Sequence, residues 1–271
     1  MNSRHRTLLL FPLLFLCVES PAFGQLKYDF HQFWHETGSF VSGPFNWQTQ
    51  DWLNVSLVGV GTLFALQADL TVRKEMLLDR TYFNSMEAGR VFGELYSPPV
   101  FFGAFAAYSL ITNDLRARKI AYEIGQSSLY AAGIVAITKI IVGRARPSVS
   151  DSEKSFLPFR VFSLGDDYHS FPSGHTAVAF VISTVLSRNI VPLWGKILVY
   201  APALYTATSR VYQNFHWSSD VFAGAFIGYF VAKWAVDLHE RGGASIGTAA
   251  SMKQSVFQPS AYLPLITIPI N

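Results

Sequence analysis

Three short groups of polar residues punctuate a chain otherwise rich in apolar ones. The first is Lys139, followed seven residues later by Arg146 and then Pro147. Seven residues are two helical turns, so the two cations face one way if a helix persists that far. Pro147 biases Arg146 out of the helical region and is expected to end the helix there. Two cations at a helix end can hold a dianion, or they can anchor the helix among lipid headgroups. The second group, Pro172-Ser173-Gly174-His175, reads as the opening of a helix with proline in its first turn. Gly174 leaves the backbone open, and the free N–H groups with the positive dipole end make an anion site with His175 at its mouth. A turn leading into a helix with an incidental histidine fits the same residues. The third group is Ser209-Arg210, His216 and Asp220. His216 and Asp220, four apart, are neighbours if one helix carries both. A carboxylate against one imidazole nitrogen fixes the tautomer, leaves the other nitrogen free to attack, and stabilises the cation that forms. A surface ion pair would show the same spacing.

The elements that must position these groups are apolar and helical in character. Of 271 residues, 50% are hydrophobic and only 14% charged, against about 25% charged in an ordinary soluble domain. Apolar stretches run over 52–66, 98–111, 120–142, 175–186, 190–208 and 221–236, and several are shorter than the ~20 residues of a full span. The net charge of +3, with no Lys/Arg run and no aromatic-basic alternation, gives no footing for nucleic acid. Residues 1–24 read as a secretory signal: Arg4 and Arg6, an apolar run from Leu8 to Val18, then Ala22-Phe23-Gly24 as a cleavage pattern. An uncleaved anchor is the alternative. Cys17, the single cysteine, falls inside this segment, so a mature chain has no thiol for disulfides or metal. Residues 25–51 read as a polar, aromatic interfacial segment, 52–240 as one domain and 241–271 as a loosely packed tail. Asp69 to Ser97 is a polar connection with room for a helix, and 143–171 is a loop. Arg144 reads as a loop charge, Asp166, Asp167 and His169 as solvated loop residues, and Tyr212 and Trp217 as packing or headgroup-level aromatics.

Taken in order, K-x6-RP, PSGH and SR-x5-H-x3-D make the chain resemble the type-2 phosphatidic-acid phosphatase superfamily, over roughly Asp51 to Asp237 and without a departure in the motifs. The resemblance implies an all-α, six-helix transmembrane bundle. It implies a phosphatase in which His216 attacks phosphorus to form a phosphohistidine, Asp220 orients it, and His175 protonates the leaving oxygen and then activates water. Lys139, Arg146 and Arg210, with the Ser173 hydroxyl and the Gly174 amide, would hold the phosphate oxygens. No metal and no cofactor are implied. The expected partners are a lipid phosphate and a membrane, with phosphatidate, phosphatidylglycerol phosphate, undecaprenyl diphosphate and lipid A types all open.

All three groups lie at segment ends that one membrane face can gather. A leader, cleaved or not, followed by three crossings puts that face in the cytoplasm. The basic cluster Arg116, Arg118 and Lys119 argues instead for motifs on the outer face, because positive loops stay inside. The expectation is a bacterial inner-membrane enzyme facing the periplasm. The alternatives are a soluble or peripheral periplasmic class A acid phosphatase and, more remotely, a vanadium haloperoxidase. The oligomeric state is open.

Overall fold

A computed structural model of the chain describes residues 28–159 and 167–255, with side chains as far as Glu240. The expected signal segment, Asp166 and the end of the tail lie outside the described residues. The elements are α1 (Phe30–Ser42), a 3-10 turn (Gly43–Asn46), α2 (Thr49–Leu78), α3 (Phe83–Phe92), α4 (Ser97–Thr112), α5 (Leu115–Val142), α6 (Gly174–Asn189), α7 (Leu193–Leu198), α8 (Ala201–Tyr212) and α9 (Ser218–Ser255). Among the described residues there is no strand, only an isolated bridge between Arg144 and Phe156.

Every expected apolar stretch falls on a helix, but one does not stay whole. The stretch 190–208 splits into α7 and α8. Pro192 stands at the N-cap of α7 and Pro202 in the first turn of α8, and each proline starts a helix because it cannot continue one. The polar connection after Asp69 also divides: α2 runs on to Leu78, which makes Asp69 a helical residue, and α3 fills much of the remainder. Helix α9 continues into the expected tail as far as Ser255.

The core lies between α5, α6 and α9, where Ile124, Ile182, Val185, Val231 and Val236 are buried against one another. Helices α6 and α9 approach closely because α9 has glycines one turn apart. A Cβ at Gly224 would stand 2.4 Å from the Ser173 carbonyl oxygen, and one at Gly228 would stand 2.2 Å from that of Ala177. Small residues four apart let two helix backbones meet, and here they hold the start of α6 beside the start of α9. Helix α1 packs across α5 and α9 through Phe40, whose ring lies 4.2 Å from that of Tyr130 and 5.0 Å from that of Trp234.

By length and composition, α2, α5 and Ser218–Glu240 of α9 can each cross a membrane. The α3–α4 pair, bent by 49°, makes a fourth if it counts as one span. Only 6% of the most apolar window of α2 is buried. Its outer face carries Trp52, Leu53, Leu57, Leu63 and Phe64 to the exterior, an exposed apolar face of the kind that meets lipid or a partner.

Candidate active site

The three groups come together at one end of the bundle. Helix α5 ends at Gly143, which takes a left-handed φ of 57° and donates its N–H to the Lys139 carbonyl at 2.9 Å. Such a cap stops the helix four residues before Pro147, earlier than expected. Lys139 and Arg146 therefore do not share a helix face. The chain instead leaves α5 and brings Arg146 across to the third motif, where its Nη1 donates to the Phe215 carbonyl at 3.0 Å. Lys139 Nζ donates to the His169 carbonyl at 2.7 Å.

Pro172 precedes the N-cap instead of entering the first turn, and Ser173 is the N-cap. Ser173 is buried, gives its hydroxyl oxygen to Thr176 Oγ1 at 3.0 Å, and does not cap the helix with its side chain. Its own N–H donates to the Asp220 carbonyl at 3.0 Å, which ties the second motif to the third. A Cβ at Gly174 would meet only Val135, at 3.6 Å. The leading N–H groups of α6 have no intrahelical acceptor, so this end is an open donor set.

His216 and Asp220 do not share a helix. Helix α9 begins at Ser218, and His216 lies two residues ahead of it, its N–H directed to the Arg210 carbonyl at 3.3 Å. Asp220, third in the helix, reaches back to the Trp217 N–H at 2.9 Å, one half of a capping box. Its other partners are Arg144 Nη1 at 2.6 Å and the Ser170 hydroxyl. His216 Nδ1 stands 3.7 Å from Asp220 Oδ2, an ion-pair contact too long for a hydrogen bond, and no hydrogen-bond partner is found for it among the described residues. His216 is 2% exposed. Burial, reinforced by Arg146 and Lys139 and opposed by Asp220, pushes its imidazole down to about 3. A neutral ring is the form that can act as a nucleophile.

Arg144 is no loop charge. It is 1% exposed. Its guanidinium joins Asp220 to Asp69 Oδ2 at 2.8 Å, donates to Ser219 Oγ at 2.7 Å and to the Glu153 carbonyl at 2.8 Å, and lies 5.3 Å from the centre of the Trp217 ring. Asp69 is buried in α2 and also accepts from the Ser219 N–H at 2.9 Å. A carboxylate directly after the long apolar stretch of α2 was the available signal for it. The loop contributes backbone more than side chains: the carbonyls of Asp167 and His169 accept from Arg146 N–H and Lys139. Trp217 is a packing residue whose Nε1 donates to the Ala145 carbonyl at 2.9 Å.

Arg210 is buried at the end of α8, where its guanidinium meets Gln213. Gln213 in turn donates to Glu87 Oε2 at 2.9 Å. Glu87 and Arg90 of α3, with Glu94 just past its C-cap Gly93, thus add a polar rim, and Glu94 Oε1 lies 3.4 Å from His175 Nε2. Glu87 and Arg90, three apart, share one face of α3, but nothing local says which neighbour that face meets. Among the described residues no group of three or more His, Cys, Asp or Glu could hold a metal ion.

Comparison with known proteins follows the same residues. A family model described as PAP2 superfamily matches residues 123–243, which hold all three motifs. The lipid A 1-phosphatase of Porphyromonas gingivalis is 31% identical over 140 residues, 50% of this chain and 28% of that protein. The undecaprenyl-diphosphatase of Sulfolobus acidocaldarius is 28% identical over 130 residues, 47% of this chain and 59% of that protein. The chain therefore spans less than two thirds of the length of these curated relatives. In fold it is similar to the transmembrane PAP2 type phosphatidylglycerolphosphate phosphatase from Bacillus subtilis, with a TM-score of 0.51 and 18% identity over 69% of this chain and 96% of the other. Residues 123–243 of this chain thus match a PAP2 superfamily domain.

Proposed function

We propose that this chain is a membrane phosphatase that hydrolyses a lipid phosphate or diphosphate through a phosphohistidine on His216. The observation that carries this reading is a buried, neutral imidazole with Lys139 and Arg146 acting on it, beside the donor-rich start of α6. In the first step His216 Nε2 attacks phosphorus in line while the P–O ester bond breaks, and His175 gives its proton to the leaving oxygen. In the second, water attacks the phosphohistidine, His175 takes the water proton, and the P–N electron pair returns to His216. The Nδ1 proton stays on His216 and faces Asp220, whose charge stabilises the ring while it is phosphorylated.

Lys139, Arg146 and Arg210, with the Ser173 hydroxyl and the Gly174 amide, neutralise the equatorial oxygens. Positioning and charge stabilisation are most of what phosphoryl transfer requires, so the route proceeds without a metal. Arg144 and Asp69 keep Asp220 in place. In this reading the shorter α6 and the α7–α8 pair complete a six-helix bundle with α2, α3–α4, α5 and α9. The exposed apolar face of α2 supports the membrane over the soluble alternative. Orientation follows from α5. Arg116, Arg118 and Lys119 open it and Lys139 lies near its far end, about 30 Å away. Positive charge favouring the cytoplasmic side supports a site on the periplasmic side of an inner membrane.

The test is phosphate release by the purified protein in detergent from phosphatidate, phosphatidylglycerol phosphate, undecaprenyl diphosphate and lipid A. Release that His216→Ala abolishes is expected. Release that survives this substitution would remove His216 from the mechanism.

A further inference from the structure

Helix α3 lies outside the three motifs yet reaches the reacting end of the molecule. We propose that Glu94 is a positioning residue for His175: it holds the Nε2–H, so that Nδ1 is the atom that exchanges the proton with the leaving oxygen and then with water. The contact stands on geometry, and its part in the reaction rests on the phosphatase reading above.

The placement of Glu94 is built by backbone. A Cβ on the preceding Gly93 would stand 2.5 Å from the His175 carbonyl oxygen and 2.6 Å from Thr206 Cγ2. Only glycine allows the end of α3 to lie this close to the start of α6, and the next side chain then falls beside the imidazole. Helix α3 is also tied to α8. Thr206 Oγ1 donates to the Gly89 carbonyl at 2.6 Å, the Tyr205 hydroxyl to the Ser85 carbonyl at 2.6 Å, and Arg80 Nη1 to the Tyr212 carbonyl at 2.7 Å. Arg90 joins Glu87 and Glu94 on one side of the helix. The separation of 3.4 Å between Glu94 Oε1 and His175 Nε2 is at the long end for a hydrogen bond, as such pairs often are before substrate binds.

The charges facing His175 explain the need for a carboxylate. Burial first, and then Arg210 of α8, Lys139 of α5, Arg146 of the loop and Arg90 of α3, press against its protonated form. General acid catalysis requires that protonated form at the moment the ester bond breaks. Glu94 supplies the opposing charge. In the first step the Nδ1–H bond breaks, the proton joins the leaving oxygen, and the ring becomes neutral with Nε2–H still on Glu94. In the second, the Nδ1 lone pair takes the proton of the attacking water and the imidazolium is restored. Glu94 gains and loses nothing over the cycle.

Glu94→Gln keeps the shape and removes the charge. With detergent-solubilised full-length protein and phosphatidate, kcat is expected to fall about 10- to 100-fold, within what a positioned acid contributes, with KM changed less than about 2-fold. The basic limb of kcat moves to lower pH, and Glu94→Asp recovers part of the loss. Independently of turnover, the His175 ring titration is followed by NMR on nitrogen-labelled histidine, the resonance being identified by its loss in His175→Asn. Its midpoint moves to lower pH in Glu94→Gln. Wild-type kcat together with an unmoved His175 midpoint overturns the proposal. A wild-type protein that releases no phosphate from any lipid overturns the phosphatase reading instead, and the His175 midpoint then decides the Glu94 contact by itself.

Discussion

The apolar stretch Ser218–Glu240 of α9 carries a buried polar cluster toward each end, and the two are built on opposite terms. Asp220 opens the helix at the motif end, and His239 lies about 28 Å further along it. His239 is enclosed by Glu123 at 3.1 Å from Nδ1 and Glu36 at 3.3 Å from Nε2. Glu36 also accepts from the Tyr122 hydroxyl at 2.8 Å and Gln126 Nε2 at 2.7 Å. Both nitrogens of that histidine have a carboxylate, and each carboxylate has further donors. At the motif end the histidine has no such closure: among the described residues His216 Nδ1 has no hydrogen-bond partner, and Lys139 and Arg146 act on a ring that burial already keeps neutral. Two histidines beside carboxylates thus serve different ends. A cluster that satisfies itself fastens α1 to α5 and α9. One that gathers cations around a buried imidazole is, in the proposed reading, arranged for an anion that arrives later.

The comparison can be broken first at His216. Replacing it with alanine should lower kcat/KM for phosphatidate by about 10³-fold or more, because the covalent route is lost, while thermal unfolding in detergent stays cooperative. A comparable loss of activity in His239→Ala with stability retained would erase the distinction between the two clusters. The next largest effect is expected at Asp69, outside the motifs. Asp69→Ala removes one of the two carboxylates paired with the buried Arg144 and leaves Asp220 as the other, which costs about 3 kcal/mol. Both the unfolding midpoint and phosphate release should fall, because Asp220 loses its support. An unfolding midpoint equal to wild type would show that Arg144 does not depend on Asp69.

At the other end the effect is smaller and confined to stability. Glu36→Gln should reduce stability by about 1–3 kcal/mol, the range for a disrupted hydrogen bond to a charged group, with kcat unchanged. A fall in kcat at constant stability would mean that the far cluster communicates with the site. The smallest effect is in pH dependence. His216 has a folded pKa of about 3, below the ordinary value of about 6.5. The unfolded chain then binds a proton that the folded one does not, so this stability is fully present above pH ~6.5 and is lost as pH falls from there toward ~3. His216→Asn should therefore flatten the decline of the unfolding midpoint between pH 6.5 and 4. An unchanged slope would show that the folded ring titrates like an exposed one.

Much of the site was legible because its residue types have few other uses at those spacings. Lys139, Arg146, His175, Arg210, His216 and Asp220 were all named from sequence as candidates, and the structure brings them to one end of the bundle. What failed was local geometry. A helix was expected to run from Lys139 to Arg146, but the left-handed turn at Gly143 ends it sooner. A shared helix was expected for His216 and Asp220, but α9 starts between them, and Asp220 spends one oxygen on the Trp217 N–H. Arg144 looked like a loop charge because its partners, Asp69 and Asp220, are about 75 residues away on either side.

The sequence by itself determined the all-helical class, the apolar stretches, and the inventory of groups that can hold and attack a phosphate. These depend on residue type and on spacing within one or two turns, which a chain displays without folding. Only the tertiary structure decided that Arg144 and Asp69 hold Asp220, that α3 brings Glu94 to His175, and that the histidine at the far end of α9 is fully paired. Each of these is a contact between helices distant in sequence. Such contacts are set by which faces the glycines at 93, 224 and 228 allow to meet, and no local periodicity records that choice.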